Sequence, residues 1–291
     1  AYIIAYTYTG LLDFAGPVQG ALRELFGWGY GDYWFPNVRS LPGAMVMLSL
    51  VLYPYVYLLA RAAFLEQSVC VLEVSRTLGA TPMHTFVRVA LPMARPAIVA
   101  GLLLALMETL ADYGTVQFFG VSTFTTGIFR TWFGLGDAVA AAQLSALLMS
   151  FVFVLILLER WSRRHARYHE TGARMKSLPR HRLEGWRMAV GLAVCIVPLA
   201  FGFLLPAGQL LAWVVRTAGR MLDADFLRIA GNSLALAGSA ALVTLLVGLF
   251  MDYGKRLHGD RLVQGAVRVA GLGYAIPGTV IAIGVLIAFD W

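Results

Sequence analysis

Apolar residues run along this chain in blocks of about twenty, separated by shorter stretches where charge, glycine and proline collect. As a helix rising 1.5 Å per residue, such a block crosses the roughly 30 Å hydrocarbon layer of a bilayer. Complete spans are expected at 42–64, 92–110, 138–158, 186–206, 228–251 and 266–288. Residues 1–10, AYIIAYTYTG, read as the last turns of a further helix. The pattern therefore predicts an all-α, polytopic membrane protein with six complete spans and a partial one. Pro54 should bend the first complete span and Pro277 should kink the last, softened by Gly271, Gly273 and Gly278.

The stretches between the blocks differ in kind. Residues 11–41 read as a loop carrying Trp28, Tyr30, Tyr33, Trp34 and Phe35, side chains suited to a membrane–water interface. Residues 111–137 are rich in Gly, Thr and Phe, which predicts an irregular, partly re-entrant segment. Residues 159–185 form a basic linker: Arg160, Arg163, Arg164, Arg167, Arg174, Lys176, Arg180 and Arg182 face only Glu159, Glu170 and Glu184. His165, His169 and His181 cluster loosely there, and a solvated linker beside anionic lipid is the reading adopted.

Composition narrows the class. Hydrophobic residues make up 59% of the 291 and charged residues 13%; soluble domains carry about 25% charged residues. Mean hydropathy is +0.72. So much apolar surface cannot be hidden in one core. The net charge of +7 does not form one basic face, so nucleic acid is not the expected partner. Orientation explains it better. With residues 66–91 in the cytoplasm, seventeen of the 23 lysines and arginines fall on that side and six on the other, as the positive-inside rule requires. Cys70 and Cys195 give neither a disulfide framework nor metal-ligand spacing.

The longest polar-bearing break in the first half is Glu73–Pro92, EVSRTLGATPMHTFVRVALP. It predicts a helix, a turn at Gly79-Ala80-Thr81-Pro82, a second short helix and a close at Leu91-Pro92. Gly79 permits the tight turn, and Pro82 suits the first turn of the next helix. Leu78, Phe86, Val89 and Leu91 can present an apolar face to a groove on a partner. Glu73 and Arg76, three apart, can pair with each other or meet charges on that partner. An ordinary amphipathic loop on the membrane surface would not require the spacing from Glu73 to Gly79 and on to Val89, Leu91 and Pro92.

That spacing resembles the EAA motif of binding-protein-dependent ABC importer permeases: E-A-A, three residues, G, nine residues, I, one residue, L-P. Val74 and Ser75 replace the alanines and Val89 the isoleucine. Glu108-Thr-Leu-Ala-Asp112-Tyr-Gly-Thr-Val-Gln-Phe-Phe-Gly120 and Ser122–Gly127 are most similar to the ferric-iron type, in which two permease units are fused. The resemblance implies a type I ABC importer transmembrane fold in a bacterial inner membrane. It also implies docking of a separate ATPase dimer through Glu73, Arg76, Gly79, Ala80, Pro82, Phe86, Leu91 and Pro92. Cargo, most simply ferric iron, would come from a periplasmic substrate-binding protein; thiamine or a polyamine is the alternative. ATP and Mg would sit on the partner ATPase, and no cofactor is expected on this chain. No G-x-x-x-x-G-K-[ST] loop and no nucleophile–base pair occurs, so the chain is not expected to be an enzyme. An ion-coupled secondary transporter is the reading of another class.

Pro277–Ala282 resembles the opening Ala1–Ala5, and the same offset of about 277 residues sets Asp13-Phe14 on Asp290-Trp291. A fragment of a tandem repeat is therefore expected. Residues 1–158 would close a first permease unit, with the docking loop at 66–92. Residues 159–185 would be the cytoplasmic linker, and 186–291 would open a truncated second unit. For a substrate path the candidates are Glu108 and Asp112, four apart on one helix face, with Tyr113 as a third oxygen donor and Asn232 further on. Glu108 and Asp112 could also bond to neighbouring helices or backbone, and no metal site is firm. Tyr2, Tyr6, Tyr8 and Thr9 could line a polar path or anchor at the interface. Asn232-Ser233 is expected to hydrogen-bond between helices. His84 reads as a partner-surface contact.

Overall fold

A computed structural model describes residues 1–29, 31–67, 69–164, 182–221, 223–257, 260–271, 273 and 276–289. Tyr30, Arg167, Arg174, Lys176, Arg180, the three linker histidines and Asp290-Trp291 lie outside them. The described residues form helices and no strand. Two compact units divide the chain: Ala1–Pro206 with Pro277–Trp291, and Ala207–Ile276.

The first unit begins with α1 (Tyr2–Leu12) and α2 (Pro17–Phe26). α2 lies inside what reads as a loop. Pro17 starts it, Gly27 ends it at φ +66°, and Val18, Ala21, Leu22, Leu25 and Phe26 form a short apolar stripe. α3 (Leu41–Glu66) starts at Ser40, whose hydroxyl accepts from the Gly43 amide at 3.3 Å, and it stays helical through Pro54. After α4 (Val69–Thr77) come α5 (Pro82–Thr85), a π-helical turn (Phe86–Ala90) and α6 (Leu91–Ala111). The expected break at Leu91-Pro92 is absent: Pro82–Ala111 is helical throughout and long and apolar enough to cross a membrane. Proline is the physical reason for the π turn. Pro92 lacks an N–H and its ring crowds the preceding turn, and the Leu91 amide bonds back five residues to the Phe86 carbonyl, widening the helix just before it.

α3 and α6 form the most extensive helix pair. Gly101 makes the close approach possible: a Cβ there would lie 2.7 Å from Val56 Cα and 2.9 Å from the Tyr55 carbonyl oxygen. α7 (Gly114–Phe118) and α8 (Phe124–Phe129), with a second π turn (Arg130–Gly134), make up the irregular segment. α9 (Ala138–Arg164) follows, and after the linker α10 (Trp186–Leu199), a third π turn (Ala200–Leu204) and α11 (Leu205–Met221), which belongs to the second unit from Ala207 on. That turn also closes two residues before a proline, Pro206. One core packs Ala5, Tyr8, Ala44, Met47 and Phe119, and another Ile128, Leu148 and Ile283.

In the second unit, α12 (Ala224–Leu257) carries ion pairs near both ends, Asp225–Arg228 at 3.2 Å and Asp252–Arg256 at 3.9 Å. The exposed apolar stretch between them suits a bilayer. α13 (Arg261–Ala270) follows. The expected span 266–288 is not one helix. α13 ends at Ala270, and α14 (Gly278–Phe289), which belongs to the first unit, begins after Pro277 with only 12 residues. Gly271, Gly273 and Pro277 interrupt rather than merely soften. The described residues thus hold five membrane-length apolar helices, Leu41–Glu66, Pro82–Ala111, Ala138–Leu158, Trp186–Gly219 and Ala224–Leu257, where six complete spans are expected.

Candidate functional site

The Glu73–Pro92 segment is a two-helix elbow with defined turn chemistry. At the end of α4 the Ala80 amide reaches the Ser75 carbonyl at 3.1 Å and the Gly79 amide the Arg76 carbonyl at 3.0 Å. Those are the two bonds of a Schellman C-cap, and they require a left-handed residue between them. Gly79 supplies it at φ +84°. Thr81 then caps α5, its hydroxyl accepting from the His84 amide at 3.3 Å, and Pro82 takes the first helical position.

Three contacts hold the elbow in shape. The hydroxyls of Ser75 and Thr85 share a hydrogen bond of 2.9 Å across the turn, with Thr85 buried. The Gln67 amide donates to the Ala90 carbonyl at 2.7 Å, tying the end of α3 to the π turn. Phe64 stacks on Phe86 with ring centroids 5.9 Å apart. The outer surface is left apolar: Leu78 is 82% exposed and Met83 70%, with Val74, Phe86, Val87 and Leu91 also open. Glu73 and Arg76 are exposed and, among the described residues, form no ion pair with each other. The His84 side chain is exposed as well. The elbow thus combines three bracing contacts, an exposed apolar tip and a helix long and apolar enough to cross a membrane.

The substrate-path candidates sit in different local settings. Glu108 is half-buried in α6, but α6 ends at Ala111 and Asp112 is extended, with ψ 125°. The helix that carries Glu108 thus stops at Asp112, whose side chain still leaves the backbone at a helical φ of −68°. Asp112 caps the next helix instead: one carboxylate oxygen accepts from the Thr115 and Val116 amides at 3.0 and 3.1 Å, the other from the Thr115 hydroxyl at 3.0 Å. Its carbonyl accepts from the Thr125 hydroxyl at 2.7 Å. Tyr113 lies against Phe129, ring centroids 4.4 Å apart. Asn232 is exposed on α12, and the Ser233 hydroxyl bonds to the Ile229 carbonyl of its own helix rather than to a neighbour.

Of the tyrosines in α1, Tyr8 is buried and donates to the Phe201 carbonyl at 2.6 Å, while Tyr2 and Tyr6 meet Phe118 edge-on. Thr9 lines a cavity of about 500 Å³ with Asp13, Gln19, Tyr33, Asn37 and Arg39. Asp13 and Arg39 are paired at 3.4 Å there. Sequence reasoning missed this cavity, Met83 and the Ser75–Thr85 bond. Only the hydroxyls ten residues apart on either side of the Gly79 turn could have signalled the last.

Comparison with known proteins gives the family of the chain. Residues 21–168 match the family model described as binding-protein-dependent transport system inner membrane component. The chain belongs to that family, the permeases of ABC importers, and is a multi-pass inner-membrane protein. It is 28% identical over 258 residues to the Fe(3+)-transport system permease protein FbpB 2 of Haemophilus influenzae, covering 86% of this chain and 50% of that one. It is 24% identical over 165 residues to the molybdenum transport system permease protein ModB of the same organism, covering 55% of this chain and 69% of that one. The chain thus spans about half the length of the iron-transport relative. No solved structure matches it.

Proposed function

We propose that this chain is part of the membrane subunit of an ATP-driven importer whose cargo is ferric iron. In this reading residues 1–158 close one permease unit, 159–185 link it through the cytoplasm, and 186–291 open a second. A periplasmic binding protein delivers cargo to the outer segments 11–41, 111–137 and 207–227. A separate ATPase dimer grips the Glu73–Pro92 elbow, and its ATP-driven closure rocks the attached spans between outward- and inward-facing states. The observation that carries the reading is the elbow itself: an apolar tip at Leu78 and Met83 on a locked turn, continuous with a membrane-length helix. Similarity to the iron permease runs over 86% of the chain, while similarity to the molybdenum permease covers 55%, which favours iron.

The test is uptake of radioactive ferric iron and of molybdate by cells whose own importers are deleted. The complete permease is supplied with its ATPase and binding protein. Iron uptake that stops when the ATPase is omitted supports the reading. Molybdate uptake without iron uptake refutes the cargo. Uptake that survives loss of the ATPase but collapses with the ion gradient refutes the mechanism in favour of a secondary transporter.

A further inference from the structure

Beside the elbow the structure opens a cleft of about 880 Å³ whose walls include Arg76 and Pro82 on one side and Arg182, Glu184, Trp186 and Arg187 on the other. Among the described lining residues are three arginines and one carboxylate. Among the described residues none of the three arginines is in an ion pair; Arg187 lies over the Trp186 ring at 5.9 Å. Among the described residues the cleft therefore carries a net positive charge.

Its depth relative to the membrane follows from the helices that leave it. Pro82 begins one membrane-length apolar helix and Trp186 another. Trp186 is 72% exposed, with Leu183 and Met188 also exposed beside it. An exposed tryptophan with an arginine on its face, at the first turn of an apolar helix, belongs at headgroup level. No side chain caps that first turn, which begins at Gly185. Guanidinium groups suit phosphate because their planar forks donate in pairs.

We propose that this cleft binds the phosphate headgroup of an anionic phospholipid of the cytoplasmic leaflet, its acyl chains lying along the apolar start of the Trp186 helix. The orientation is that of the function proposed above. Because Arg76 belongs to the docking helix, Arg182 to the end of the linker and Arg187 to the helix after it, a bound lipid bridges the elbow and the linker's end. Anionic lipid then steadies the elbow and raises the efficiency of coupling.

The test uses the full-length permease in nanodiscs of phosphatidylcholine alone or mixed with phosphatidylglycerol, with retained lipid counted by native mass spectrometry. The wild type should retain phosphatidylglycerol selectively. Arg182→Gln and Arg187→Gln should each weaken retention roughly fivefold, and Arg182→Lys with Arg187→Lys should keep only part of it, since the ammonium supplies the charge but not the paired donors. Arginine-to-glutamine variants that retain the lipid as well as wild type overturn the proposal. So does loss of ATPase binding by those variants in pure phosphatidylcholine discs, an outcome that makes the cleft part of a protein interface. Lipid retention needs neither cargo nor ATP, so it is read even if the importer reading fails.

Discussion

Replacing Gly79 separates the backbone of the elbow from its contacts. A Cβ built there meets nothing within 4 Å, so a substitution adds no clash with neighbouring atoms. The whole effect comes from φ +84°, a left-handed conformation that costs an ordinary L-residue about 1–2 kcal/mol. That is roughly a five- to thirtyfold shift against the turn, the two Schellman bonds and the Ser75–Thr85 bond they align. Asparagine tolerates this region and β-branched residues do not. Coupling, measured as cargo imported per ATP hydrolysed in proteoliposomes, should therefore fall in the order Gly79→Asn, Gly79→Ala, Gly79→Val. The valine variant should insert normally and leave ATP hydrolysis largely unlinked from uptake. Equal coupling in the asparagine and valine variants would refute the argument, since it would show that the left-handed turn is not what transmits the stroke.

Further outcomes follow from other contacts. Thr85→Val removes the hydroxyl bonded to Ser75 at 2.9 Å; a loss of about 1 kcal/mol should lower coupling a few-fold while the Tm in detergent barely moves. Gly101→Val places side-chain carbon 2.7 Å from the Val56 backbone, which no rotamer change relieves, and should lower the Tm sharply. Gly20→Ala, with nothing within 4 Å, should leave the Tm unchanged or slightly raised. Asp112→Ala should destabilise by about 1–2 kcal/mol through the lost cap, whereas Asp112→Asn should keep both fold and transport; transport lost in a stable Asn variant would return Asp112 to the substrate path. Cys70, exposed beside the elbow, should react with a membrane-impermeant thiol reagent only from the cytoplasmic side, and labelling from outside would reverse the orientation.

The sequence made most of the elbow legible because its geometry is carried by residues with single physical uses. Only glycine sits easily at the turn of Gly79, and only a residue without an amide hydrogen to satisfy fits as well as Pro82 at a first helical position. Four of the five long spans show for a similar reason, since an uncharged run of about twenty residues has few other fates; Pro82–Ala111 carries Arg88, Arg95 and Glu108 and shows by its hydropathy instead. What could not be read were choices between local and distant partners. Asp112 sits four residues after Glu108 and reads as one more turn of helix, yet the amides of Thr115 and Val116 offer its carboxylate a cap, and the helix stops one residue before it. The last apolar run failed because hydropathy alone ignores the backbone demands of Gly271, Gly273 and Pro277. The continuity of α5 with α6 was hidden by Pro92, which reads as a helix start but here sits behind a π turn that makes room for it.

That continuity has a mechanical consequence. From Pro82 to Ala111 the helix is a lever about 45 Å long. If the elbow is driven as proposed above, the pivot is Gly101, where a Cβ would lie 2.7 Å from Val56 Cα. The arm on the elbow side is about 28 Å and the arm on the far side about 15 Å. A tilt imposed at the elbow reaches the opposite face at roughly half its travel and about twice its force. The geometry is geared down, suited to prising apart packed surfaces over a short throw rather than sweeping a wide one.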